Sequence, residues 1–391
     1  MTTGHERILV VDDEPAMLRT VSRILSPRYD VQGFSDGAQA LASFRATPYD
    51  LAIIDVRMPG MDGFELMREI KKVNPRIEVI LVTGSVTDLD EKLIRSIEER
   101  AFYLITKPFS RPVLTSLVGW SLEMQRLEEE RDGLIRRLTE DLERARRYQQ
   151  ALLPRGLPRS FGPVRVASAY LSCEAVGGDL FDVVPLPDDR LMLMVADVAG
   201  HGVAAALLTG MVKTSLGRSF QEGLGLASTA KAVQETLLPL GPQRVVTLFI
   251  GIVDVGGRTL QYLNAGHPPA LLWGSGRETR LLGATTPLLS YNLAIQEAPE
   301  ATVAFGPGDR LGLYSDGLYE VLDPSGNEFG RDRLLRSMAA ATGPIEAGVE
   351  ALMRETREHA AGRPPADDLT LLMAAFEEEG GTALRPEPVR V

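Results

Sequence analysis

The stretch Leu193–Gly202, LMVADVAGHG, is apolar up to Asp197 and then breaks into a glycine-containing loop. The chain does the same once before, in Leu51–Gly60, LAIIDVRMPG, where the acid is Asp55. A short Val/Ile/Leu-rich run that stops at a carboxylate predicts a buried strand delivering one acid into a loop. The two copies share that local device, and their surroundings point to different folds and different chemistry.

Around the earlier copy, from Ile8 to about Pro112, apolar runs (ILVVDD, YDLAIIDV, EVILVTG, AFYLITKPF) alternate with amphipathic stretches (AMLRTVSRIL, GFELMREIKK). Continuous apolar runs between helical patterns predict parallel strands buried on both faces, an α/β sheet. Sites in such sheets form in the loops after the carboxyl ends of the strands. Asp12, Asp13, Asp55, Thr83 and Lys107 all fall at or just after predicted strand ends.

Around the later copy, from about Pro154 to Phe376, strands are separated by turns instead. VVTLFIGIVDV and LQYLNAG flank Gly256-Gly257 and predict a hairpin, and RLMLMVADV, DRLGLYSDG and DLTLLMAAF predict further strands. Helical patterns stand between them at 203–220, 226–238, 331–342 and 344–360. This is an α+β, sandwich-like domain with helices outside.

Between the two lies a stretch with no strand signal. Trp120, Met124, Leu127, Arg131, Leu134, Leu138, Asp141, Ala145, Tyr148 and Leu152 follow the four-three spacing of a heptad, with Arg131 and Asp141 interrupting the seam. The spacing favours a dimerising coiled-coil helix over one packed on its own domain, and the proline of LLPRGLP stops it. The expected organisation is therefore residues 6–120, a helical linker 121–153, a second domain 154–376, and a disordered tail 377–391.

Composition narrows the function. The 391 residues suffice for two or three cores. A net charge of −11 argues against a nucleic-acid binder. The single cysteine, Cys173, excludes an intramolecular disulfide and suits a reducing, cytoplasmic setting. No run approaches the roughly 20 apolar residues of a membrane span.

Asp12, Asp13 and Asp55 repel one another unless a divalent cation such as Mg²⁺ gathers them, and that ion leaves room for a phosphate. Lys107 supplies a point charge for a phosphoryl oxygen and Thr83 a hydroxyl, so Asp55 becomes a plausible nucleophile toward a phosphoryl donor. With these spacings VVDDE, DVRMPGMDGFEL, VTG and TKPF resemble the receiver domain of bacterial response regulators. The resemblance implies a doubly wound five-stranded parallel sheet. It further implies Asp12 and Asp13 as Mg²⁺ ligands and Asp55 as acceptor of phosphate from a sensor histidine kinase. That family often carries an aromatic switch residue three positions before the lysine; here the position is Leu104, after Phe102 and Tyr103.

The later segment carries AVGGDLFD, ADVAGHG, NAGHPPALL, YSDGLYE and ADDLTLL. GGDLF is close to a diguanylate cyclase signature, but Leu180 replaces its acid and the other four motifs have no place there. Asp179, Asp197, Asp316 and Asp367, each at a strand end or turn, offer oxygen ligands for hard cations. Two such ions can activate a bridging water for phosphoester hydrolysis. The set resembles the PPM family of metal-dependent serine/threonine phosphatases, in its stage-II-sporulation-E-like branch that regulates sigma factors, and YQQALLP just before it matches that branch. The resemblance implies a β-sandwich flanked by helices and two Mn²⁺ or Mg²⁺ ions. Asp179 and Asp197 would bind both, Val198 would offer its carbonyl, and Asp316 and Asp367 (or Asp368) would complete the shells. The implied substrate is a phosphorylated anti-sigma-factor antagonist. The alternative is a phosphorylation-controlled adaptor with a non-catalytic phosphatase-like domain.

His201 is either a general acid or a residue that orients the loop. His267 and Asn264 are expected to be structural, with the His267 ring satisfying a backbone group. Asp182 is expected as a cap or outer acid, Cys173 as a small buried residue, and Arg165 and Arg244 as the candidates for substrate phosphate.

Overall fold

The apolar run RILVV is buried on both sides because alternate residues serve opposite faces of one sheet. Ile8 and Val10 join Leu51, Ile53, Ile80 and Val82 in one core, while Leu9 and Val11 join Ala52, Ile54, Val79 and Leu81 in another. In the computed structural model, which describes residues 6–84, 103–157, 159–200, 202–241, 244–274, 278–292 and 298–377, these strands form a parallel sheet. Its members are β1 (Arg7–Val11), β2 (Asp30–Phe34), β3 (Leu51–Asp55), β4 (Glu78–Thr83) and β5 (Tyr103–Thr106), in the order β2-β1-β3-β4-β5.

Helix α1 (Pro15–Leu25) covers one face, and α2 (Gly37–Ala46) and α3 (Gly63–Val73) cover the other. A capping box fixes the start of α3: the Asp62 side chain accepts from Glu65 N, and the Glu65 side chain accepts from Asp62 N. Gly63 lets that helix start sit directly on the end of β3, since a Cβ there would lie 2.2 Å from the Asp55 carbonyl oxygen.

Helix α4 (Arg111–Leu152) begins well before Trp120, where the heptad pattern starts. Leu114 and Val118 in its first turns are buried against the sheet, and nothing between them and the seam breaks a helix. Gly119 and Gly133 each cost only about 1 kcal/mol relative to alanine. The last helix of the first fold and the linker are therefore one element. The chain divides into two compact units, Met1–Leu138 and Thr139–Val391, and the division falls within α4. The expected disordered tail lies outside the described residues from 378 onward.

The second unit is a sandwich of two six-stranded sheets. One runs β15 (Ala301–Ala304), β11 (Thr259–Ala265), β10 (Val245–Asp254), β9 (Arg190–Val198), β8 (Asp179–Leu186), with β14 (Leu289–Ser290) paired to β10. The other runs β13 (Arg280–Leu282), β12 (Ala270–Gly274), β16 (Asp309–Tyr314), β17 (Leu369–Phe376), β7 (Val164–Leu171), β6 (Arg159–Phe161). The continuous run of β9 again serves two faces. Leu191, Leu193 and Val195 fill the space between the sheets, while Met192, Met194, Ala196 and Val198 pack under helices α5 (Gly202–Gln221) and α6 (Leu226–Leu237). A short helix α7 (Gly317–Glu320) follows β16, and α8 (Arg331–Ala340) and α9 (Ile345–Ala360) cover the other sheet. All four helical patterns expected from the sequence are present, within two residues at their starts and ends.

Candidate functional site

In the first unit, β1 and β3 are adjacent and run with Val11 opposite Ile54, so Asp12 and Asp55 emerge side by side. The sheet order reverses between β1 and its two neighbours, which is where parallel sheets open a crevice. Thr83 ends β4 opposite Thr106, and Lys107 follows, its N–H donating to the Thr83 carbonyl at 2.7 Å. Lys107 Nζ lies 2.8 Å from Asp12 Oδ2 and 3.0 Å from Asp55 Oδ1. Oxygens of Asp12, Asp13 and Asp55 fall within 4.8 Å of one another.

Burial raises the Asp55 carboxyl above its ordinary value; Lys107 pulls it down, and Asp12 and Asp13 push it up again. Burial works against the Lys107 cation, but its bonds to Asp12 and Asp55 outweigh this and its pKa is raised. The cluster thus keeps a charged lysine beside three convergent acids, with the oxygen donors a hard divalent cation takes. Tyr103, just before Leu104, packs its ring on Trp120 of α4, centroids 5.0 Å apart.

In the second unit Asp179 and Asp197 are direct partners across β8 and β9. Asp179 is 2 % exposed, and the Thr370 hydroxyl donates to its Oδ2 at 2.5 Å. Asp316 stands at the start of α7 beyond β16. Asp367 and Asp368 immediately precede β17, the strand paired with β16, so four separate segments bring their acids to one end of the sandwich. Burial and then the neighbouring Asp197 raise Asp179 well above the carboxylate range. Burial, and then Asp316, Asp367 and Asp368, push Asp197 up to about 7. A divalent cation relieves that kind of crowding; the acids offer oxygen donors, and the Cys173 sulfur lies within 4.8 Å of oxygens of Asp367 and Asp368. The Val198 carbonyl oxygen belongs to the same place, since a Cβ on Gly178 would come within 2.6 Å of it.

The two adjacent acids are distinguished by their surroundings. Asp368 is buried, and both its oxygens are occupied: Oδ1 accepts from Cys173 N at 2.8 Å, and Oδ2 from Gly178 N at 2.6 Å and Asp179 N at 3.1 Å. Asp367 is exposed at the rim.

Other expectations meet different surroundings. Arg165 lies opposite Ala375, at the far end of β17 from the acids, and its guanidinium is ion-paired with Glu346 at 2.6 Å. It is therefore not a contact for substrate phosphate. Arg244 precedes β10, whose Val246 pairs with Val198, so it stands at the acid end. Asp182 caps no helix; it lies within β8 and forms an ion pair with Lys213 of α5. The His267 ring meets the Thr247 hydroxyl at 2.8 Å, and burial pushes its pKa down to about 3, consistent with a structural role. The Asn264 side chain accepts from His267 N at 2.8 Å. Burial and Asp368 push the Cys173 thiol up to about 12, far from a nucleophile. His201 lies outside the described residues.

Three supporting residues were not singled out from the sequence. Thr370 holds Asp179, Ser315 donates to the Asp368 carbonyl at 3.1 Å, and Gln149 bonds the backbone of Gly177. Thr370 and Ser315 stand beside the acids in ADDLTLL and YSDGLYE, whereas Gln149 stands in YQQALLP, 28 residues before the glycine it bonds.

Residues 8–119 match the family model described as response regulator receiver domain, and residues 187–377 match that described as stage II sporulation protein E (SpoIIE). Protein IcfG of Synechocystis sp. is 27% identical over 279 residues, covering 63% of this chain and 42% of its own. Phosphoserine phosphatase RsbP of Bacillus subtilis is 28% identical over 190 residues, covering 47% of this chain and 46% of its own. The chain thus spans less than half the length of these two relatives. The SiaA-PP2C domain of Pseudomonas aeruginosa has the same fold, with a TM-score of 0.56 at 22% identity, over 62% of this chain and 99% of that one.

Fold and comparisons together give a two-part chain, a receiver-type parallel sheet followed by a PP2C-like sandwich. The chain carries a receiver domain followed by a SpoIIE-type domain of the PPM phosphatase class.

Proposed function

We propose that the protein is a response regulator whose output is metal-dependent removal of phosphate from phosphoserine or phosphothreonine on a partner protein. The observation that carries this is the convergence of Asp179, Asp197, Asp316 and Asp367 at one end of the sandwich, crowded enough to raise Asp197 to about 7. Asp179 and Asp197 would hold two Mn²⁺ or Mg²⁺ ions, with the Val198 carbonyl, Asp316 and Asp367 completing the shells. When bound, such ions lower the pKa of a shared water and neutralise the phosphate. Asp368, saturated by backbone N–H groups, holds the loop in place and is not a ligand. Arg244, just before the acid end of β10, is the candidate for the substrate phosphate, and His201 serves the metal loop as acid or orienting group.

In the receiver, an Asp55 oxygen accepts the phosphoryl group of a histidine kinase, while Thr83 and Lys107 meet the phosphoryl oxygens; Asp12 and Asp13 would hold the Mg²⁺ that offsets the phosphoryl charge. The product carries roughly −1.5 to −2 charge where the free carboxylate carried a single negative charge. Functional boundaries follow the sequence pattern, 6–120, 121–153 and 154–376, with the tail 377–391 outside them, and the protein works in the cytoplasm. No helix among the described residues is long and apolar enough to cross a membrane. A homodimer forms along α4, because Leu127, Leu134, Leu138 and Tyr148 on the seam are exposed large apolar residues. The name of RsbP supports a phosphoserine substrate, and the SpoIIE branch supports one of the anti-sigma-factor-antagonist type. An adaptor with a degenerate site is disfavoured, since the sequence retains all four acids.

The test is hydrolysis of a phosphoserine peptide by the full chain with Mn²⁺, with and without beryllofluoride. Activity that requires Mn²⁺ and changes with beryllofluoride in the wild type but not in Asp55→Asn is expected. No turnover in either state would overturn the proposal.

A further inference from the structure

We infer that Gln149, on the last turns of α4, is a positioning residue for the second unit's metal site: its amide clamps the backbone of Gly177 and so fixes where Asp179 stands. The inference rests on the phosphatase reading above and adds a residue to it. Gln149 is 6 % exposed, between the exposed Tyr148 and Gln150. Its Nε2 donates to the Gly177 carbonyl at 2.5 Å, and its Oε1 accepts from Gly177 N at 3.0 Å. Nε2 also lies 3.5 Å from the Thr209 hydroxyl of α5.

A buried amide is costly unless its donor and acceptor are both used. Here both are used on one residue of the loop, two positions before Asp179. The pairing needs a donor and an acceptor side by side on one planar group, which asparagine and glutamine provide at every pH and a carboxyl only when protonated. Asparagine is one methylene shorter.

The other side of the loop is equally constrained. A Cβ on Gly177 would lie 2.0 Å from Asp368 Oδ2, the same oxygen that accepts from Gly178 N and Asp179 N. Gly177 to Asp179 is therefore gripped between the Gln149 amide and the Asp368 carboxylate. Outer groups that orient metal ligands typically change metal affinity 10- to 100-fold when lost. Because one of the two grips stands on α4, the position of the loop depends on where that helix ends.

Full-length Gln149→Leu, similar in size but without hydrogen bonds, and Gln149→Glu, which sets an oxygen against the Gly177 carbonyl, test this. The readout is Mn²⁺ affinity, measured by electron paramagnetic resonance of free Mn²⁺, alongside phosphopeptide hydrolysis at saturating Mn²⁺. The expected result is Mn²⁺ binding weakened about tenfold or more in both variants. At saturating metal, kcat should stay within about threefold of wild type and KM for the peptide should not change. Wild-type Mn²⁺ affinity in either folded variant overturns the inference, as does equal loss of stability with no shift in Mn²⁺ affinity, the mark of a mere core amide. If neither variant folds, the clamp is a folding element and the inference fails. Wild-type protein that neither binds Mn²⁺ nor hydrolyses the peptide instead sinks the phosphatase reading.

Discussion

Replacing Asp197 with asparagine should stabilise the metal-free protein while destroying its response to metal. In the folded chain burial and the facing acids push the Asp197 carboxyl from 3.8 to about 7. A raised carboxyl pKa means that the folded state keeps a proton that the unfolded state has released. Stability therefore falls as pH rises from about 4 to about 7, by about 1.4 kcal/mol per pH unit, and is flat above that. Above pH 7 the accumulated penalty is on the order of 4 kcal/mol, and an asparagine, neutral at every pH, escapes it. The substitution also removes the second-largest influence raising Asp179.

Trp120 and Trp273 are the only tryptophans, so a Trp120→Phe background makes Trp273, buried in the second unit, the sole reporter in urea unfolding. In EDTA at pH 8 the Asp197→Asn midpoint should lie above that of the parent, and the gap should close as pH falls toward 4. Adding Mn²⁺ should reverse the order, because the parent gains RT ln(1 + [Mn²⁺]/Kd) and the variant gains little. A variant that is less stable than its parent in EDTA at pH 8, or that gains as much from Mn²⁺, would refute the electrostatic account of the site.

Three further outcomes are expected. Gly177→Ala forces a methyl to within 2.0 Å of Asp368 Oδ2, and overpacking of this kind costs about 1–3 kcal/mol, so its urea midpoint should drop and Mn²⁺ should not restore it. Lys107→Ala leaves Asp12 and Asp55 without the cation that sits 2.8 and 3.0 Å away; breaking such a pair costs roughly 3–5 kcal/mol when buried, so Mg²⁺ should raise its melting temperature more than the wild type's. Leu134→Glu with Leu138→Glu puts charges on the exposed seam of α4, and light scattering should show the mass falling from dimer to monomer.

Much of the fold is legible in local pattern. RILVV, LAIID and EVILVT are apolar throughout because neighbouring residues serve two different cores, and RLMLMVADV is so for the same reason in the sandwich. The helix boundaries after Asp197 and around Arg331 follow from apolar periodicity and glycine. The start of α4 did not follow: heptad spacing marks where a seam begins, whereas the helix begins where Leu114 and Val118 bury themselves on the first sheet.

By itself the sequence determined which acids end strands and that they fall into two sets, one in each folding pattern, since strand ends are properties of runs a few residues long. The tertiary structure decided how those acids are used. Asp368 differs from Asp367 in its surroundings because Gly178, 190 residues earlier in the chain, donates to it. Arg165 is removed from the site by the register of β7 on β17, and Gln149 enters it through a glycine 28 residues away. Local pattern sets which way a residue faces, but a hydrogen bond between distant segments exists only once the sheets have packed, and no spacing in the chain announces it.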